Sequence, residues 1–287
     1  MVAVGTPELS QITYDLFRAL IYRETGIRMS DSKKVLVSNR LRRRLRALQL
    51  STYEEYYRLL TGEAAGMRRE LSSFIDAVST NETYFYRGES HFQALGDAVL
   101  PELFQKRSSL KVWSAGCSTG EEPYTIGMVI REAAGSRWQG KVDIVATDIN
   151  TDVIQRARHG EYSGRTLQFL PETFRDRYLE PLGADIYRVA ETVRSSVHFS
   201  VHNLLSDDPP GAGFDIIFCR NVMIYFDRPT QTRLVDQKFA RALRKDGYLF
   251  IGHSESLIGK SDRFRYARLM KSPIYQLRDA TPGETND

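Results

Sequence analysis

The run Gly116-Cys117-Ser118-Thr119-Gly120 is the most chemically suggestive spacing in the chain. It fits G-x-S-x-G, where a sharp strand-to-helix turn exposes a nucleophilic serine. It fits equally a glycine-rich loop that lets a cofactor approach the backbone. A hydrolase triad would need an acid and then a histidine later in the chain, and Asp148 or Asp215 followed by His253 supplies that order. An elbow serine, however, follows a central strand that other strands precede, whereas "VWSAG" is the first strand-like segment after a long helical stretch. That position suits the first strand of a nucleotide-binding half, whose ligand lies outside the carboxyl ends of the strands.

Asp148 ends the next strand-like run, "KVDIVATDIN", about 28 residues past Gly120, close to where such folds place a carboxylate that accepts hydrogen bonds from two ribose hydroxyls. It would equally serve as a cap for a helix starting near Thr151. The loop lacks the full G-x-G-x-x-G of an NAD site. Glu121 and Glu122 put two negative charges at a helix N-terminus, which repels a pyrophosphate and favours a cation. A ligand with a ribose at one end, positive charge at the other and no phosphate is S-adenosylmethionine, so the residues point to a methyltransferase.

The elements that must hold these residues fall into two kinds. From about Glu8 to Val78 the patterns are helical only: "ELSQITYDLFRALIYRETG" stopping at Gly26, "SKKVLVSNRLRRRLRAL", "TYEEYYRLLTG" and "MRRELSSFIDAVS". "TNETYFYRGESHF" joins this block to the next and is too aromatic for a flexible linker. From Leu110 strand, turn and helix alternate, which predicts parallel βαβ units. "LKVWSAG", "KVDIVATDIN", "VHFSVHNLL", "FDIIFCRN", "GYLFIGHSES", "FRYARLM" and "SPIYQLR" are the expected strands. "PTQTRLVDQKFARALRKDG" is a helix with Pro229 in its first turn and Gly247 as its stop. Between about Glu161 and Ser196 the alternation breaks, with a helix-like "PETFRDRYLEPLG" and short β pieces "IYRVA" and "TVRSS", an inserted subdomain. "TPGETND" reads as a disordered tail.

With 287 residues, 41% hydrophobic and 26% charged, the chain has room for two folded units. No run is apolar for the eighteen or so residues of a membrane span, and no signal peptide opens it, so the expected place is the cytoplasm. Cys117 and Cys219 have no metal-binding or disulfide-framework spacing and are expected as buried free thiols, with no metal. The net charge of +4 demands no polyanionic partner. The charge is uneven, though. "NRLRRRLRAL" carries Arg40, Arg42, Arg43, Arg44 and Arg46, while Val37, Leu41, Leu45 and Leu48 form one buried stripe, leaving the arginines on the outer faces.

Taken together, "TNETYFYR", "VWSAGCSTGEEPY", "ATDIN", "FDIIFCRNVMIYFD" and "GYLFIGHSES", in this order, resemble the chemotaxis receptor methyltransferase family (CheR), and the resemblance spans about Glu8 to Leu277. It implies an all-α N-terminal domain (1–78), a linker contributing to the cofactor site (79–93) and an α/β, Rossmann-like class I methyltransferase domain (94–279). A small subdomain (161–196) is inserted in the last, and a tail (280–287) follows. The implied donor is S-adenosylmethionine, giving S-adenosylhomocysteine, and the implied acceptor is the side-chain carboxylate of chemoreceptor glutamates. By matching position, Asn81, Thr83, Arg87 and Gly116 would contact the cofactor, Glu122 its methionine end and Asp148 its ribose. Asn203 and Leu204 would frame the adenine, and Asn221 and Val222 would line the pocket. Arg87 and Tyr225 would sit beside the transferred methyl. Arg40, Arg43, Arg44 and Arg46 would dock the acidic helical surface of the receptor. The insert looks shorter than in members that tether to a receptor's C-terminal pentapeptide, so direct docking by a monomer is expected. A serine hydrolase using Ser118, an RNA methyltransferase gripping phosphates with the arginine helix, and a non-catalytic S-adenosylmethionine sensor are the rival readings.

Overall fold

The computed structural model describes residues 7–62, 67–135 and 138–278. Four helices come first: α1 (Gln11–Thr25), α2 (Lys34–Ala47), α3 (Tyr53–Thr61) and α4 (Met67–Val78). Each start and stop has a local cause. Ser10 caps α1 by accepting from Thr13 N–H, and Gly26 ends it at φ 71°, a left-handed conformation open to glycine. Thr52 and Glu55 form a reciprocal capping box on α3. The apolar stripe of α2, Val37, Leu41 and Leu45, is buried against Phe17, Tyr56 and Phe74 of the other three helices, with Leu48 half-buried at its end.

An irregular strap, residues 79–88, leads into a helical run that the sequence patterns do not announce: α5 (Glu89–Ala94), a π-helical stretch (Leu95–Val99) and α6 (Leu100–Lys106). Then come β1 (Ser109–Ala115), α7 (Glu121–Ala134), β2 (Lys141–Asp148) and α8 (Thr151–His159). The insertion follows, with β3 (Glu161–Ser163), α9 (Glu172–Tyr178), β4 (Leu179–Gly183), β5 (Ile186–Val189) and α10 (Glu191–Arg194). Its strands make a separate antiparallel sheet, ordered β3-β5-β4. Two local expectations are corrected there. "LEPLG" is strand rather than helix because it pairs with β5, and "TVRSS" is the end of the short helix α10 and the turn after it rather than a strand.

The chain returns to the main sheet with β6 (Val197–Val201) and β7 (Phe214–Cys219). A helical run then follows, α11 (Arg228–Arg233), a π-helical stretch (Leu234–Phe239) and α12 (Ala240–Ala242), before β8 (Leu243–Ile251), β9 (Phe264–Tyr266) and β10 (Ile274–Leu277). Gly247 is not the stop of that helix. Leu243 is already extended at ψ 147°, and Gly247 lies inside β8 after Asp246 at φ 62°, where a Cβ would meet the Arg244 carbonyl at 2.9 Å.

The seven-stranded sheet has the order β6-β2-β1-β7-β8-β10-β9. The β1–β2, β2–β6, β1–β7 and β7–β8 pairs are parallel, and β10 runs antiparallel to β8 and β9. Alternate residues feed two cores. Val112, Ile216, Phe218 and Phe250 face one layer, and Trp113, Ile217, Leu249 and Ile251 the other. Strand order reverses between β1 and β7, and a crevice opens at their carboxyl ends, the place where open α/β sheets take ligands. Both cysteines are buried and free, and among the described residues no group of His, Cys, Asp and Glu is placed to hold a metal. No described helix is long and apolar enough to cross a membrane.

Candidate functional site

Three loops leave the carboxyl ends of β1, β2 and β7 and form the floor of one cavity of about 310 Å³. The first is the glycine loop. Gly116 (φ 86°), Ser118 (φ 49°) and Gly120 (φ 98°) all take left-handed conformations, so the chain turns sharply between β1 and α7. The Gly116 and Cys117 amides donate to the Thr147 carbonyl at 2.8 and 2.9 Å. At Gly116 a Cβ would stand 2.4 Å from a Val222 methyl, and at Gly120 it would stand 2.8 Å from the Tyr162 hydroxyl. Ser118 is committed to the scaffold. Its Oγ donates to the Asn81 carbonyl at 2.8 Å and its N–H donates to Asp148 Oδ2 at 2.8 Å.

No triad assembles around that serine. Asp215 lies at the far end of β7, accepting from Arg107 and from Lys111 N–H, and exposed His253 is hydrogen-bonded to Ser90 while its ring lies 4.4 Å from that of His91. The serine-hydrolase reading is thereby corrected.

Asp148 ends β2 nearly buried. Its two oxygens accept from Ser118 and Asn150 amides, and those bonds oppose a pKa that burial raises. It does not cap α8. That role belongs to Asn150, whose side-chain oxygen accepts from Val153 N–H at 3.1 Å.

The glutamate pair is also more differentiated than its adjacency suggests. Glu121 turns away from the cavity and accepts from Thr119 Oγ1 at 2.7 Å. Glu122 lines it, accepting from Ser114 Oγ at 2.8 Å and pairing with Arg220 Nη1 at 3.2 Å. Burial pushes both carboxyls above their usual value, and Arg220 pulls Glu122 back. At the N-terminus of α7 Pro123 has no N–H to offer, and the Glu121 and Glu122 carboxyl groups stand in the turn where a pyrophosphate would have to bind.

Arg220 was not singled out from the sequence, although it stands inside "FCRNVMIYF". It is buried, it also donates to the backbone carbonyl of Arg87, and its guanidinium lies 5.4 Å from the Phe92 ring. A side chain at Gly88 would collide with it at 2.4 Å. Burial, with Arg220 beside it, drives His91 down to about 3, so its imidazole is neutral and Nε2 donates to Ile251 O.

Buried Glu255 is a second residue that the sequence does not single out. It accepts from the amides of Gly252, Asn221 and Ile224 and holds the turn after β7, where Asn221 sits at φ 59°. That turn carries Val222 and Tyr225 to the cavity wall.

Of the residues expected at the site, Asn81, Thr83, Arg87, Gly116, Glu122, Asp148, Asn203, Leu204, Asn221, Val222 and Tyr225 all line this one cavity. Arg87 donates to the Glu82 carbonyl at 2.6 Å, and its guanidinium stands 5.7 Å from the Tyr84 ring. Asn203 also makes a turn, accepting from Leu205 N–H and donating to the Glu24 carbonyl. The roof was not foreseen at all. It comes from the end of α1 and the start of α2, including Thr25, Ile27, Arg28, Met29 and Leu36. Only Gly26 gave a local sign, as a helix stop; its second role, a close approach of 2.1 Å between a Cβ placed there and Leu205, is tertiary.

The four arginines of α2 expected to dock the receptor divide. Arg40 donates to the Val78 and Ser79 carbonyls at 2.7 and 2.9 Å, and Arg44 makes a forked pair with Glu70 at 3.0 and 2.6 Å. Arg43 and Arg46 are exposed and make no side-chain bond among the described residues.

The donor set suits a nucleoside sulfonium: the Asp148 and Glu122 carboxylates and the Gly116 backbone line one cavity, and acidic residues open the neighbouring helix. Comparison with known proteins agrees. Residues 12–79 match the family model described as CheR methyltransferase, all-alpha domain, and residues 81–272 the one described as CheR methyltransferase, SAM binding domain. A chemotaxis protein methyltransferase 2 of Pseudomonas aeruginosa is 44% identical over 252 residues, 86% of this chain and 88% of that one. A chemotaxis protein methyltransferase of Borreliella burgdorferi is 40% identical, covering 85% and 87%, and one of Escherichia coli is 38% identical, covering 89% and 88%. The RNA-methyltransferase reading finds no support among them. Sequence identity along nearly the whole chain, two family models end to end and a cavity at the switch point of the sheet lead to one conclusion: the chain belongs to the CheR methyltransferase family, with S-adenosylmethionine as its cofactor.

Proposed function

We propose that the protein is a protein-glutamate O-methyltransferase that esterifies glutamate side chains of chemoreceptors. The observation that carries this reading is the joining of Arg87 and Tyr225 with Asp148 and Glu122 in one cavity. S-adenosylmethionine supplies an electrophilic methyl group. Asp148 would hold its ribose, Glu122 its methionine end and Asn203 with Leu204 its adenine, while Asn81, Thr83, Gly116, Asn221 and Val222 complete the walls.

A glutamate carboxylate, with an ordinary pKa of about 4.3, is ionised at neutral pH, so no side chain has to act as a base. The chain's contribution is orientation, which can supply on the order of 7 to 11 kcal/mol. Arg87 orients the incoming carboxylate, and Tyr225 shapes the space around the methyl. Too tight a charge pairing would stabilise the reactants, whose charges disappear on transfer.

The reading extends to a cytoplasmic monomer divided at about residues 78 and 94, docking directly on receptor helices through Arg43 and Arg46 without a peptide tether. The test is transfer of tritiated methyl to receptor-containing membranes, giving an alkali-labile product. Arg87→Ala should lower turnover by on the order of a hundredfold or more with an unchanged circular-dichroism spectrum. Near-normal activity of that variant would remove Arg87 from the mechanism.

A further inference from the structure

Asn150 is 3% exposed and does not itself line the cavity, yet it is hydrogen-bonded to three residues that do. Its backbone N–H donates to Asp148 Oδ1 at 3.0 Å. Its side-chain oxygen caps α8. Its amide nitrogen donates outward to three acceptors on the end of α4 and the strap: Asp76 O at 3.1 Å, Ser79 Oγ at 3.3 Å and Asn81 Oδ1 at 3.1 Å. The same junction is gripped by Asp76, whose carboxylate accepts from Thr151 N–H at 2.7 Å and from the Thr151 hydroxyl.

A helix cap needs only an acceptor, and Ser or Asp would serve as well as Asn. What the carboxamide adds is a separate NH2 donor, on a branch away from the capping oxygen, that neither a serine hydroxyl engaged at the cap nor an aspartate carboxylate supplies. Here that donor faces the strap rather than the helix. Ser118 makes a second tie in parallel, with its N–H on Asp148 and its hydroxyl on Asn81 O. Asp148 and Asn81 are therefore both tied to Ser118 and to Asn150.

We propose that Asn150 is a positioning residue for the cofactor, setting Asn81 of the strap against Asp148 of the sheet through its amide donor. The inference rests on the reading that Asp148 and Asn81 hold S-adenosylmethionine. It also gives the helical block a direct part in cofactor affinity, since Asp76 and Ser79 share the contact.

The test uses the full chain and S-adenosylhomocysteine as probe. Asn150→Ser and Asn150→Asp both keep the capping oxygen and remove the amide donor; should the serine variant fail to fold, the aspartate variant, matched in size, carries the experiment. Calorimetric Kd should rise on the order of tenfold in each, as expected when a buried acceptor loses its donor, with unaltered helical circular dichroism. In an Asn81→Ala background the same substitutions should change Kd by less than about threefold, because the strap acceptor is already gone. A single-variant change below about threefold, whatever happens to the melting temperature, shows a merely structural residue and overturns the proposal. An undiminished effect in the Asn81→Ala background overturns it too. A wild-type chain that binds no S-adenosylhomocysteine overturns the reading beneath, and this inference with it.

Discussion

Ser118 looks like a nucleophile by spacing and acts as a brace by geometry, because both its polar atoms are engaged by neighbours 37 and 30 residues away in the chain. Glu121 is similar: its position at a helix start is legible, but its burial is not. It is 1% exposed, and burial raises its carboxyl above the usual 4.5. The folded chain therefore binds this proton more readily than the unfolded one. Lowering the pH through the raised value toward 4.5 stabilises the fold, and at neutral pH the charged form lowers stability. Glu121→Gln should abolish that contribution. Denaturant unfolding of both proteins as the pH is lowered from neutrality toward 4.5 should show wild type gaining stability relative to the variant. A difference constant across the range would refute the assignment.

At the scale of elements, the turn between β1 and α7 works only because glycine fills it. Gly120 lies at φ 98°, and a Cβ there would stand 2.8 Å from the Tyr162 hydroxyl and 2.9 Å from the Ala157 Cβ, so Gly120→Ala meets both backbone strain and a clash. It should destabilise by about 1 to 3 kcal/mol in denaturant titration. Helix α2 is the second case. Its period fixed the buried stripe, and the five arginines read alike in sequence, but packing against α4 gives Arg44 a buried partner in Glu70, to which Tyr56 also donates. Arg44→Ala should cost about 1 to 3 kcal/mol through the carboxylate left behind. Arg43→Ala should be nearly neutral in the same unfolding measurement.

Across the whole molecule, the cavity lies between the helical block, which also carries the exposed Arg43 and Arg46, and the sheet. If Arg43 and Arg46 steer an acidic receptor surface, the Arg43→Glu, Arg46→Glu double variant should lower kcat/KM for receptor by on the order of tenfold at low salt. The deficit should shrink as ionic strength approaches about 1 M. Its Kd for S-adenosylhomocysteine should match wild type, since neither side chain lines the cavity. An equal deficit at all salt concentrations would exclude steering.

The sequence by itself determined the elements whose signals are local: capped helices with one apolar stripe, alternating strands around a glycine turn, and Asp148 at a strand end. Asp148 and the Glu121–Glu122 pair are legible from their places at a strand end and a helix start, whereas Asn81 and Asn221 are legible at the site only through the family resemblance. Tertiary structure alone decided charge and partnership. Glu122 meets Arg220 from 98 residues away, Glu255 holds a turn 34 residues back, Asn150 reaches α4 and the strap, and α1 roofs the cavity. The physical reason is that burial and pairing depend on groups distant in the chain, whereas periodicity, capping and turn conformation are set by near neighbours.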